Sequence, residues 1–141
     1  MMNIDKFKHQ HVAILDGIGR LREAVRAGIA ENADDIATRI VKISGVIKLH
    51  LAIEDTVLYP AVADSADRKL ARLGEAYQRE MNGIAGEYFE FASRWNLPAR
   101  LKADPEGFRA DANRVLRVLF ERMRREDTEF YPAIDAAAAT V

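Results

Sequence analysis

Apolar residues recur every three or four positions along four long segments of the chain, and in none of them do they alternate with polar residues as a strand would require. The pattern predicts an all-α protein. A first helix is expected from about Ile4 to Ala27, burying Phe7, Ile14, Ile18, Leu21 and Val25, with Gly28 as a left-handed stop. Asn32 then caps a second helix, whose first turn holds Asp34 and Asp35 where the helix dipole favours negative charge. That helix buries Ile36, Ile40, Ile43 and Ile47 and is expected to kink or end at Pro60. A third helix is predicted from Asp64 or Ser65 to about Trp95, with Tyr77, Met81, Ile84, Tyr88 and Phe91 on one stripe, followed by a loop containing Pro98. Asp104-Pro105-Glu106 starts the fourth, which buries Phe108, Ala112, Val115 and Leu119. Short connections between long helices make an up-down-up-down antiparallel four-helix bundle the expected architecture.

The two halves of the pattern echo each other. Glu54-Asp55-Thr56-Val57-Leu58-Tyr59-Pro60-Ala61-Val62 returns seventy-two residues later as Glu126-Asp127-Thr128-Glu129-Phe130-Tyr131-Pro132-Ala133-Ile134, with six of nine positions identical. The same shift lays Ile36, Ile40, Ile43 and Ile47 on Phe108, Ala112, Val115 and Leu119, and His50 on Arg122. A shift of seventy lays Phe7, Ile14, Ile18, Leu21 and Val25 on Tyr77, Ile84, Tyr88, Phe91 and Trp95, and His11 on Met81. The chain therefore reads as one domain, residues 1–141, made of two helix-pair repeats over about 4–63 and 64–136.

Composition narrows the chemistry. A chain of 141 residues can bury about two-thirds of the surface it exposes when unfolded, enough for a real core. Lys and Arg number 21 against 22 Asp and Glu, so no basic field points to nucleic acid or to an anionic membrane. No apolar run approaches a membrane span, and the N-terminal residues lack the apolar stretch of a signal peptide, so a cytoplasmic location is expected. The absence of cysteine excludes disulfides, thiolate metal sites, Cys nucleophiles and iron–sulfur ligation, leaving only nitrogen and oxygen ligands. No phosphate-cradling glycine loop or nucleophile elbow is present.

His11, His50 and Glu54 occupy core stripes where apolar residues are expected, and burying them is unfavourable unless they are paired, hydrogen-bonded or bound to metal. His50 and Glu54, four residues apart, share one helix face. Two histidines and a carboxylate form the facial ligand set of mononuclear non-haem iron sites, with Glu126 as a fourth candidate; zinc and manganese accept the same donors. Arg122 cannot be a ligand, because its guanidinium keeps its proton; beside Glu126 and Glu54 it reads as a structural replacement for one metal ion. Met81 reads as core filling, Glu80 as a weaker candidate for a replacement oxygen ligand, and His9 as exposed on the far side of its helix. Tyr59 and Tyr131, each before a proline, read as packed aromatics at the bundle ends.

These residues resemble the hemerythrin-like, or HHE cation-binding, domains. His11 matches the histidine of the family's first helix, and His50-Leu-Ala-Ile-Glu54 with Leu58-Tyr59-Pro60 matches its His-x-x-x-Glu and aromatic-proline ending. Arg122-Met-Arg-Arg-Glu126 with Phe130-Tyr131-Pro132 matches the fourth helix except at its histidine, and Met81 stands where the third helix should supply one. The resemblance implies a four-helix bundle around a non-haem di-iron centre that binds oxygen or serves iron, redox or nitric-oxide responses. The two missing histidines argue against reversible dioxygen carriage, which shares two electrons between two irons. Three function classes follow: an iron-binding protein with an asymmetric or mononuclear site that binds or senses oxygen, nitric oxide or peroxide; a metal-free structural module held by Arg–Glu ion pairs; and, ranked last for want of a legible substrate pocket, an enzyme. A homo-oligomer is compatible with a bundle of this size.

Overall fold

The structure, a computed structural model, describes residues 4–139 and is all-α, with no strand among the described residues. Helix α1 (Asp5–Arg26) ends just before Gly28, whose φ of 119° lies in the left-handed region that only glycine adopts without strain. Helix α2 (Ala33–Ile53) passes through a π-helical turn, π1 (Glu54–Leu58), into α3 (Tyr59–Ala63). Helix α4 (Arg68–Trp95) is followed by the short α5 (Pro98–Ala103) and by α6 (Pro105–Arg125), which passes through a second such turn, π2 (Glu126–Phe130), into α7 (Tyr131–Ala139). Helix α1 packs on α2, α2 on α4, α4 on α6, and α6 back on α1, so the long helices close a four-membered ring. Among the described residues no helix is long and apolar enough to cross a membrane.

Several boundaries differ from the sequence expectation. Asn32 holds the N-cap position of α2, but its side chain turns back to donate to Gly28 O at 2.8 Å instead of capping the helix. The third long helix starts at Arg68, not at Asp64 or Ser65, because Asp67 is the residue whose carboxylate accepts from Lys69 N and Leu70 N; such a cap is worth about 1 kcal/mol. Pro98 opens α5 at its first helical position instead of lying in a loop. Pro60 does not end its helix. Tyr59 N–H has already reached back five residues to Glu54 O, so the ladder is widened where the proline's missing donor and its ring would otherwise conflict with an α-turn.

The core divides into two clusters. The larger, built around Ile14, Ile18, Ile36, Ile40, Tyr88, Phe91, Phe108 and Leu119, fills the end of the bundle where α1 meets α2. The smaller gathers Phe7, Leu58, Tyr59, Tyr77, Phe130 and Tyr131 beyond the π-turns. Val25 and Ile84, expected on the core stripes, are only partly buried at the edge of the first cluster. Between the clusters lie five buried polar residues: His11, His50, Glu54, Arg122 and Glu126.

Glycines in α4 give a test of this packing. A Cβ on Gly74 would come within 2.5 Å of Val62 Cγ1, in a buried contact between α4 and α3, whereas one on Gly83 would meet nothing within 4 Å. Gly83→Ala is expected to stabilise the protein by about 0.5–1 kcal/mol through helix propensity. Gly74→Ala is expected to destabilise it by about 1 kcal/mol, overpacking outweighing that gain. Urea unfolding of the two variants checks the opposite signs.

Candidate metal centre

Three of the four long helices, with their π-turns, supply the polar layer. α1 supplies His11, α2 His50, π1 Glu54, α6 Arg122 and π2 Glu126, all at most 1% exposed. His11, His50, Glu54 and Glu126 each turn one potential ligand atom inward, and these four atoms all lie within 4.8 Å of one another. His11 Nε2 stands 3.1 Å from His50 Nε2 and 3.3 Å from Glu126 Oε1, and His50 Nε2 stands 3.2 Å from Glu54 Oε1.

The outer ring nitrogens fix how the imidazoles face. His11 Nδ1 lies 2.9 Å from Asp127 Oδ1, and His50 Nδ1 lies 2.6 Å from Gln10 Oε1. Both outer atoms are acceptors, so each Nδ1 donates its proton outward and each neutral ring aims the Nε2 lone pair at the centre. Two lone pairs 3.1 Å apart repel unless a proton or a cation lies between them. Glu54 Oε1 and Glu126 Oε2, meanwhile, are buried with no hydrogen-bond donor among the described residues. Unpaired buried carboxylate oxygens are costly, and two of them beside two inward-facing imidazoles form a donor set that fits a metal ion. Ligands about 2.1 Å from one ion and adjacent around it are about 3 Å apart, close to the separations seen here.

Electrostatics says the same of the metal-free protein. Burial lowers the proton affinity of His11, but the carboxylates of Glu126, Asp127 and Glu54 outweigh it and raise the imidazole above its ordinary value. Burial, reinforced by the charge of Glu54 and opposed by His11 and Arg122, raises Glu126 above the usual carboxylate range.

Arg122 is buried beside the donor set and directed away from it. Its Nη2 donates to Tyr77 O at 2.6 Å and to Tyr59 Oη at 3.4 Å, its Nη1 lies 3.3 Å from Glu80 Oε1, and its guanidinium stacks 4.3 Å above the Tyr77 ring. It reaches Glu126 Oε2 only at 3.6 Å, close enough to offset charge but not to hydrogen-bond. Glu80 lies in this outer shell. Its carboxylate is 44% exposed and bridges Arg122 and Arg125, so it does not join the four inward donors. Met81 is buried in the larger apolar cluster, and His9 is exposed.

Two supporting residues, Gln10 and Asp127, escaped the sequence reading, and two more, Tyr59 and Tyr131, were singled out there but favoured as packed aromatics. The first two adjoin His11 and Glu126 in sequence, but each serves a ligand on another helix, which no single-helix pattern reveals. The role of the tyrosines was hidden by the π-turns. Residues five apart point about 140° away from each other on an α-helix, whereas a π-turn, whose hydrogen bonds span five residues, returns them to nearly one face. Tyr131 Oη consequently lies 3.1 Å from His11 Nε2 and donates to Glu54 Oε2 at 3.2 Å. Burial and the charges of Glu126 and Glu54 raise its hydroxyl far above the ordinary tyrosine range, so it keeps its proton in the metal-free protein. Neither tyrosine is simply packing at the bundle end, as the sequence had implied.

Residues 2–134 match the family model described as the hemerythrin HHE cation-binding domain, and the chain belongs to that family. No curated protein and no solved structure gives a significant match. Within the chain's own repeat, Arg122 departs from the pattern that puts His50 at the corresponding position.

Removing the Arg122 charge leaves Glu126 and the Tyr77 carbonyl without their cation. Arg122→Met is expected to lower the stability of the metal-free protein by about 3 kcal/mol, measured by urea unfolding. A loss under about 1 kcal/mol would mean that the layer does not depend on this charge.

Proposed function

We propose that this protein binds a single non-haem iron ion through His11, His50, Glu54 and Glu126, and that the site binds or senses a small ligand such as oxygen, nitric oxide or peroxide. The supporting observation is the set of four donor atoms within 4.8 Å of one another, carried by two imidazoles and two fully buried carboxylates. Histidine and carboxylate together suit iron(II) or iron(III), and bound iron would supply open coordination positions and one-electron redox chemistry. The protein's own contribution is to hold both Nε2 atoms inward through Asp127 and Gln10, to exclude water with Phe7, Leu58 and Phe130, and to place one fixed cation beside Glu126.

Charge favours one ion over two. Glu54 and Glu126 bring two negative charges, and Arg122 supplies one permanent positive charge on the side where the repeat would place a second metal-binding histidine. With the neutral Met81 at the other lost histidine, the second half offers a single carboxylate from the original pattern. A single divalent or trivalent ion satisfies the remaining donors. The alternative, a metal-free module held by Arg–Glu ion pairs, makes the opposite prediction for metal content.

Iron-loaded protein is expected to contain about one equivalent of metal, with His50→Ala losing it and a chelator lowering the melting temperature of the parent. Less than about a tenth of an equivalent, with a melting temperature indifferent to chelator, would favour the metal-free module.

The pH dependence carries a definite sign. Glu126 and His11 are both raised above their ordinary values of 4.5 and 6.5. Their contribution to the stability of the metal-free fold is therefore complete below those values and is lost as pH rises through the folded ones. Metal must displace the same protons, so the rise in melting temperature on adding metal should be larger at about pH 8 than at about pH 6. Thermal unfolding with and without metal at both values measures it; a smaller rise at the higher pH would contradict the assignment.

A further inference from the structure

We propose that Tyr131 is a fifth protein ligand of the ion and selects iron in its ferric state. The inference rests on the metal-binding reading above and extends it to a residue type outside the four His and Glu donors. The argument is geometric. Tyr131 is fully buried, and its hydroxyl oxygen lies inside the donor set, 3.1 Å from His11 Nε2 and 3.2 Å from Glu54 Oε2. The other contacts between inward donors are 3.1 Å for His11 to His50, 3.2 Å for His50 to Glu54 and 3.3 Å for His11 to Glu126. The phenol oxygen thus stands at the same spacing as the other donors, with His11 Nε2 adjacent to Tyr131, His50 and Glu126.

The rest of the shell leaves that position to Tyr131. His11 Nδ1 is committed to Asp127, so its Nε2 carries a lone pair turned inward and does not need the phenol as a proton donor once a cation is present. Tyr59, the counterpart of Tyr131 in the repeat, is turned to Arg122 Nη2 at 3.4 Å instead. The two tyrosines have exchanged halves, each reaching the ligand layer from the end of the opposite helix pair, and only one of them meets unoccupied donors. A phenolate is a hard anionic oxygen and pairs best with a hard, highly charged cation. On binding, the phenol O–H bond breaks, the metal–oxygen bond forms, and the proton is released to solvent as for any ligand that binds deprotonated. No change of oxidation state is involved when the iron is supplied as a ferric chelate.

The test is the visible spectrum of protein loaded from a ferric chelate, read together with its iron content. The wild type and Tyr59→Phe are expected to show a phenolate-to-iron charge-transfer band; Tyr131→Phe is expected to retain iron and lose the band. Resonance Raman on wild-type protein carrying ring-deuterated tyrosine shows whether the band arises from a tyrosinate at all, since modes enhanced within it must then shift, and the two variants say which tyrosine it is. Iron bound without such a band, or a band that survives in Tyr131→Phe, would overturn the assignment and leave the four-ligand site standing. Failure to bind iron would remove both.

Discussion

Two carboxylates and two imidazoles buried in one layer, with donor atoms inside 4.8 Å of one another, cannot be stable on apolar packing alone. Positive charge has to enter the layer, as protons, as metal or as a fixed cation, and the surrounding arrangement serves that need. Protons are the weakest of the three, because they leave as pH rises. Arg122 is the most permanent, since its charge is not lost under any ordinary condition. A metal ion would stand between these extremes, and the facing His11 Nε2 and His50 Nε2 are where it would enter the layer.

The repeat shows how the second cation came to be built in. The seventy-residue shift that carries His11 to Met81 also carries Gln10 to Glu80, and the outer contacts follow it: Gln10 supports His50, while Glu80 supports Arg122. The seventy-two-residue shift carries Tyr59 to Tyr131; the first meets Arg122 and the second meets His11 and Glu54. The Gln10–His50 and Glu80–Arg122 contacts therefore correspond across the repeat, one centred on an imidazole and the other on a guanidinium, whereas the two tyrosines meet residues that do not correspond. A neutral amide suits a histidine Nδ1–H, and a carboxylate suits an arginine. That matching of shell to centre argues for a remodelled half-site, held in place by its neighbours, over one left to decay.

Much of this was legible in the sequence, and the rest was hidden for definite reasons. The four long helices follow from apolar periodicity, because each buries one stripe against its neighbours. The polar layer follows from polar residues standing on those stripes: His11, His50, Glu54 and Glu126 come together in one buried group, and Arg122 lies beside Glu126. What periodicity could not give is any change in the helical repeat itself. The π-turns begin at the two glutamates, and the reorientation of Tyr59 and Tyr131 toward the centre depends on them. Periodicity also could not give contacts between helices, such as Gln10 with His50 and Asp127 with His11. Glu80, the weaker candidate for an oxygen ligand, stays at the surface as a glutamate usually does, bridging two arginines. Pro60 was read as a kink or an end of the helix, because the π-turn that accommodates it leaves no mark on the apolar period.

The central claim is that one metal ion and one guanidinium share a layer built for two metal ions. Electron paramagnetic resonance of the fully iron-loaded ferric protein tests it most directly. An isolated high-spin ferric ion gives a signal, whereas two bridged ferric ions couple their spins and give none in the ground state. The account predicts a high-spin ferric signal that integrates to one spin centre for each iron bound. Tightly bound iron that is silent by this measure would show a coupled pair, and Arg122 would then not be standing in for a metal.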